Sequence, residues 1–225
     1  MDNPVIECQS LTKIYTRNNQ AFNAVSDINL TIRRNETVLI KGRSGAGKST
    51  LLNMMGGLVM PSSGKVLFKG TNLAEMKNNM LSSILLNEIG IIFQSFNLLP
   101  TYTIFENIEI ALAPKKQDRE LIKKEIMSHL EQFDLGDKHN LLPTQLSVGQ
   151  QQKAAIVRTL IKQPSVIFAD EPTGSVDTES ASEILGYLID LKKKRDITLI
   201  LASHGNIPDK YADRLILLEN GKISN

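Results

Sequence analysis

Apolar positions along this chain fall into two kinds of run, short ones that read as strands and longer periodic ones that read as helices. Within residues 5–40, Ile28-Asn29-Leu30-Thr31-Ile32 and Thr37-Val38-Leu39-Ile40 have the length and β-branched content of strands. Val166-Ile167-Phe168-Ala169 and Thr198-Leu199-Ile200-Leu201-Ala202 are almost wholly apolar, the pattern of strands covered on both faces. Helical patterns run from about residue 49 to 55, and over 73–88, 104–113, 117–133 and 178–194. The stretch 117–133 puts Leu121, Ile122, Ile126, Leu130 and Phe133 on one side among many charges, and its lysines read as a solvated face. Strands alternating with helices predict an α/β fold with a largely parallel sheet. At 225 residues one core can still grow, so a single domain over 1–225 is expected.

Composition narrows this picture only slightly. Hydrophobic residues at 41% and charged residues at 22% are ordinary for a globular chain and argue against disorder. A net charge of +2 without clustered basic residues gives no reason to expect a nucleic-acid partner. The single cysteine, Cys8, cannot form an internal disulfide and reads as a small strand residue. Met1-Asp2-Asn3-Pro4 lacks the layout of a signal peptide, and no apolar run approaches the ~18 residues of a membrane helix. A cytoplasmic chain is expected, with any membrane role supplied by a partner.

The sharpest chemical signal is Gly42-Arg43-Ser44-Gly45-Ala46-Gly47-Lys48-Ser49-Thr50, a G-x-x-x-x-G-K-[ST] motif between an apolar strand and a helix. Its glycines let the backbone wrap closely, so that N–H groups converge on phosphate oxygens at a helix start. Lys48 then contacts the β- and γ-phosphates, and Ser49 ligates Mg²⁺. From average residue usage, such a match arises by chance at on the order of a few in 100,000 positions. By itself it specifies only a nucleoside triphosphate. Asp170 and Glu171 end the apolar run 166–169, at the carboxyl edge of a sheet where α/β folds bind ligands. There Asp170 suits Mg²⁺ through water, and Glu171 suits a general base for an attacking water. An acidic pair after an apolar run is a weak signal alone; the phosphate loop gives it its meaning.

Leu146-Ser147-Val148-Gly149-Gln150 separates this chain from other phosphate-loop proteins. Taken in order with the phosphate loop, Gln94, Asp170-Glu171 and His204, it makes the chain resemble the ATP-binding cassette (ABC) ATPases from about Ile6 to the carboxyl terminus. The resemblance implies a phosphate-loop NTPase core with a mostly parallel sheet, an amino-terminal antiparallel β region and a helical subdomain at about residues 95–160. It also implies a head-to-tail homodimer with two ATP molecules sandwiched between phosphate loop and partner signature. Ser147 supplies a hydroxyl and Gly149 an N–H to the γ-phosphate, with Gln150 beside them. Gln94 matches the residue that senses Mg²⁺ and water and links to a permease. His204 matches the γ-phosphate contact, Asp177 the loop coupling the two sites, and Tyr15 the aromatic that stacks on adenine.

Three positions depart from the family pattern. Val148 stands where Gly is usual and adds bulk and stiffness at a helix start. Lys153 stands where Arg is common, and the two differ at bidentate contacts. Gly205 follows His204 where an acidic residue is common, which would loosen the His. The expected outcome is a working site, with the departures bearing on the turnover rate more than on the reaction.

Phe93-Gln94-Ser95-Phe96-Asn97-Leu98-Leu99-Pro100 with Glu106-Asn107, Ala169-Asp170-Glu171-Pro172-Thr173-Gly174, and the longer stretch between Tyr15 and Val25 look like the branch serving lipoprotein-release, macrolide-export and peptide-resistance systems. That branch implies an integral-membrane permease partner and peripheral attachment to the inner face of the cell membrane. Relatives acting on DNA or ribosomes carry a long coiled coil or two cassettes, and neither fits 225 residues without heptads. An ATP-sensing subunit with little turnover remains the alternative, opposed by Glu171 and His204.

Overall fold

The computed structural model describes residues 4–114 and 118–224. The amino-terminal reading on Met1–Asn3 and the start of the 117–133 helix at Gln117 lie outside them. In chain order the strands and helices are β1 (Ile6–Arg17), β2 (Gln20–Ile32), β3 (Thr37–Lys41), α1 (Lys48–Met55), β4 (Ser63–Phe68), β5 (Thr71–Asn72), α2 (Asn78–Asn87), β6 (Ile89–Ile92), α3 (Ile104–Glu109), α4 (Arg119–Gln132), α5 (Val148–Leu160), β7 (Val166–Asp170), α6 (Thr178–Arg195), β8 (Thr198–Ser203), β9 (Arg214–Glu219) and β10 (Lys222–Ser224).

Two sheets form. The six-stranded sheet runs β10-β9-β3-β8-β7-β6, and every pairing from β9 to β6 is parallel. The four-stranded sheet runs β2-β1-β4-β5 and is antiparallel throughout. The expected parallel core and amino-terminal antiparallel region are both present.

The all-apolar runs became central strands for the reason their pattern suggested. Residues alternate between faces in a strand, and both faces here are covered. Leu39, Ile167, Ala169, Leu199 and Leu201 pack with α3–α6 on one side. Val38, Ile40, Phe168, Ile200 and Ala202 pack with α1 and the antiparallel sheet on the other. Half-buried β9 alternates instead, with Ile216 and Leu218 inward and Leu215 and Leu217 exposed.

Some expected boundaries shift. The 73–88 helix is broken into a 3₁₀ turn at Leu73–Glu75 and α2, because Met76 and Lys77 are extended. The 104–113 helix ends at Glu109. In α4 the buried stripe is Ile122, Ile126 and Leu130, continued by Phe133, whereas Leu121 is 64% exposed. Leu121 sits one residue, about 100°, around the helix from Ile122, which turns it to solvent. The stretch after Tyr15 is a β hairpin whose turn residues, Asn18 and Asn19, both have positive φ (51° and 58°), the tight turn that suits the strand twist.

Candidate functional site

The parallel order brings four chain segments to one edge. The phosphate loop follows β3, Gln94 follows β6, Asp170 ends β7 and His204 follows β8. These strands lie side by side as β3-β8-β7-β6, so their carboxyl ends form a single rim.

The loop's shape depends on two glycines. Gly47 caps α1 at φ 101°, and a Cβ there would lie 2.2 Å from the Ala24 carbonyl oxygen. A Cβ on Gly42 would lie 2.3 Å from the Leu218 carbonyl oxygen. Backbone approaches this close exclude any side chain. Lys48, buried, donates to the carbonyls of Gly42 (2.9 Å) and Arg43 (3.2 Å). Its Nζ lies 3.7 Å from Glu171 Oε1.

Glu171 is itself buried and sits in the left-handed region at φ 49°. Its N–H donates to the Ala202 carbonyl (3.0 Å), and its carbonyl accepts from Gly174 N–H (3.0 Å), closing a turn over 171–174. The other carboxylate oxygen, Oε2, is 2.8 Å from His204 Nδ1. Gly205, with φ 136°, occupies a conformation that side-chain-bearing residues rarely adopt. Its N–H and that of Asn206 both donate to the buried Ser203 hydroxyl at 3.1 Å. The expected loosening of His204 by Gly205 is thus corrected: the turn is tied down, and His204 is paired to Glu171.

Burial raises the Asp170 carboxyl above its ordinary range, and the neighbouring Glu171 charge adds to this, while a hydrogen bond from Ser49 and the Lys48 charge work against it. Asp170 Oδ1 is buried without a hydrogen-bond partner. An orphaned carboxylate oxygen beside a serine hydroxyl suits a hard divalent cation. Among the described residues no cluster of three His, Cys, Asp or Glu could cage a metal.

One cleft of about 560 Å³ is lined by Tyr15, Ser44, Gly45, Gly47, Lys48, Ser49, Thr50, Gln94, Glu171 and His204. Ala46 and Gly42 line an adjoining cavity that also reaches His204. Phe22, which carried no sequence motif, shares the cleft. It is the cross-strand partner of Tyr15, with ring centroids 5.9 Å apart, and only the hairpin register reveals it. Both rings are exposed, Phe22 at 50% and Tyr15 at 36%.

Ser147, Gly149, Gln150 and Asp177 are not brought to this cleft. They line a separate cavity of about 400 Å³ with Val148, Lys153 and Val176. Ser147 and Gln150 form a reciprocal capping box at the start of α5, and Asp177 caps α6 by accepting from Ser180 N–H at 2.9 Å. The Ser180 bonds hold the Asp177 carboxyl below its ordinary range. Lys153 is paired with Glu183 at 2.8 Å. Arg158, further along α5, clamps the carbonyls of Phe96 (2.6 Å) and Asn97 (2.5 Å), which follow Gln94. It too lies outside every short motif.

A glycine loop between a parallel strand and a helix, with a carboxylate pair at the end of the next strand but one, defines a phosphate-loop NTPase. Comparison with known proteins narrows the class. The ABC transporter family profile matches residues 25–174, and the chain belongs to that family. It is 40% identical over 219 residues to an ABC transporter ATP-binding protein, MJ1508, of Methanocaldococcus jannaschii, covering 97% of each chain. It is 34% identical to the lipoprotein-releasing system ATP-binding protein LolD of Buchnera aphidicola, covering all of this chain and 98% of that one. The solved dimeric bacterial ABC transporter cassette MJ0796 superposes with a TM-score of 0.92 at 33% identity, over 98% of this chain and 97% of that one. MJ0796 has also been solved in a post-hydrolysis state bound to ADP and Pi.

Proposed function

We propose that this chain is the ATP-binding and ATP-hydrolysing subunit that powers a separate integral-membrane permease, working as a homodimer closed over two ATP molecules. One observation carries the reading: the signature residues Ser147, Gly149 and Gln150 line a different cavity from their own chain's phosphate loop. Such a segment serves the nucleotide of a second copy, and the dimeric state of MJ0796 supports this.

Loop N–H groups and the positive end of α1 hold the phosphates, and Lys48 exchanges its Gly42 and Arg43 carbonyl partners for β- and γ-phosphate oxygens. Ser49 and Asp170, with Gln94 lining the same cleft, would hold Mg²⁺, which when bound offsets the charge of those phosphates. Glu171 accepts a proton from the attacking water, and His204 keeps the carboxylate aimed and reaches the γ-phosphate. Tyr15 stacks on the base. From the second copy, Ser147 and Gly149 complete the γ-phosphate site. The Ser147 hydroxyl already accepts from Gln150 N–H (3.3 Å) yet keeps its own proton to donate. Asp177 couples the two sites.

Closure pushes the permease toward one state, and hydrolysis reopens the dimer. No helix among the described residues is long and apolar enough to cross a membrane. The subunit works at the cytoplasmic face, bound through its permease, which selects the cargo. Val148, 47% exposed at the start of α5, favours a second reading in which turnover is slow and ATP chiefly signals. Hydrolysis with and without the permease separates the two.

The primary test compares Mg-ATP hydrolysis and oligomeric state of Glu171→Gln with wild type. The expected result is a wild-type chain that hydrolyses and a variant that forms a stable ATP-dependent dimer without turnover. Wild-type turnover in the variant removes Glu171 as base.

A further inference from the structure

Gln152 is 2% exposed on α5, five residues past Ser147, and no part of the preceding mechanism uses it. Its Nε2 donates to the Pro172 carbonyl at 2.8 Å, while its Oε1 is buried with no partner. Flipping the amide would face Oε1 with another acceptor, so the carbonyl of Pro172 dictates the orientation. A buried amide that leaves half of itself unpaired contributes little net stability. What it does secure is position.

The bond lands on the residue after Glu171. That turn holds a non-glycine residue at φ 49°, a left-handed backbone conformation that such residues adopt at a cost and that needs support from its surroundings. One further contact ties α5 to the segment that follows: Lys153 pairs with Glu183 at 2.8 Å. Gly149, Val176 and Ser180 line the same cavity beside it. Gln152 makes the contact nearest to the base. A thirteen-residue helix moves as one piece, so displacement at Ser147 is felt at Pro172.

We infer that Gln152 is a positioning residue that links the phosphate-facing end of α5 to the Glu171 turn, so that capture of the second copy's γ-phosphate aligns the base of the capturing chain. The inference rests on the sandwich dimer proposed above and assigns a path between its two sites.

Gln152→Met keeps shape and apolar bulk but removes the donor. It trades one unpaired buried acceptor, Oε1, for another, the Pro172 carbonyl, so the melting temperature is expected to stay within about 3 °C. The kcat for ATP is expected to fall about tenfold, with KM within about threefold because the phosphate loop is untouched. Gln152→Glu supplies a donor only when protonated. Its activity relative to wild type is therefore expected to rise as pH falls from about 8 to about 6.

A Gln152→Met protein with wild-type kcat, or a Gln152→Glu ratio flat with pH, overturns the coupling role. Both variants are also placed on Glu171→Gln, where an ATP-dependent dimer is expected to persist. If Glu171→Gln alone forms no dimer with ATP, the sandwich fails and the coupling with it. If it dimerises while Gln152→Met turns over normally, only the coupling fails.

Discussion

His204 Nδ1 lies 2.8 Å from Glu171 Oε2, and the opposite carboxylate oxygen lies 3.7 Å from Lys48 Nζ. Glu171 is thus held from both sides, by the residue that follows β8 and by the first residue of α1. In the proposed mechanism Lys48 turns to the phosphates once nucleotide binds, which would leave His204 as the principal restraint on Glu171. His204→Ala is expected to lower kcat about 100-fold with ATP binding retained. Steady-state hydrolysis beside equilibrium binding of a fluorescent ATP analogue checks it; equal kcat would remove His204 from the step.

Asp170 links the site to stability. Its carboxyl is raised in the folded chain, so between the unfolded and folded pKa values the folded state binds more protons. The sign follows: without ligand, Asp170 costs stability at neutral pH, and that cost disappears as pH falls through the folded value. Asp170→Asn is expected to melt higher than wild type near neutral pH and to lose this part of the pH dependence, while losing hydrolysis. Thermal melts of the nucleotide-free proteins over a pH series test it, and a variant that melts lower refutes the desolvation account.

Gly47→Ala should not fold normally. Its Cβ would sit 2.2 Å from the Ala24 carbonyl oxygen with φ at 101°. The expected loss is roughly 2–4 kcal/mol, from strain and clash together. Gly45→Ala is the control: its φ of 79° is also positive, but nothing lies within 4 Å. A smaller loss is expected there in chemical denaturation.

The Tyr15–Phe22 pair predicts a base site with tolerant recognition, since stacking reads a flat face rather than edge groups. Tyr15→Ala is expected to weaken ATP binding by about tenfold, near 1–2 kcal/mol for one lost stack. Phe22→Ala should weaken it as well, and titration calorimetry of the two variants measures each share. Unchanged affinity in both would place the base elsewhere.

Val148→Gly isolates the departure in the signature segment. Val148 is exposed, so fold stability is expected to change by less than about 1 kcal/mol. In a Glu171→Gln background, less ATP should suffice to form the dimer, which size-exclusion chromatography across an ATP series reads directly. No shift would mean that the valine does not obstruct the γ-phosphate.

The phosphate loop was legible in the chain alone because its determinants are local. Gly42 through Thr50, an apolar run before and a helix after specify one conformation within a dozen residues. The central strands β7 and β8 were legible for a related reason: only a strand buried on both faces accepts so many consecutive apolar residues. The family resemblance supplied His204, Gln94 and the signature as candidates, but not their partners. Glu171 meets His204 only because β7 and β8 pair in parallel with Asp170 opposite Ala202, a register set by packing on both faces of the sheet. Phe22 joins Tyr15 through the Asn18–Asn19 turn, and Gln152 reaches Pro172 through the way α5 lies on the core. Such contacts depend on where whole elements dock, and short-range patterns carry no information about that.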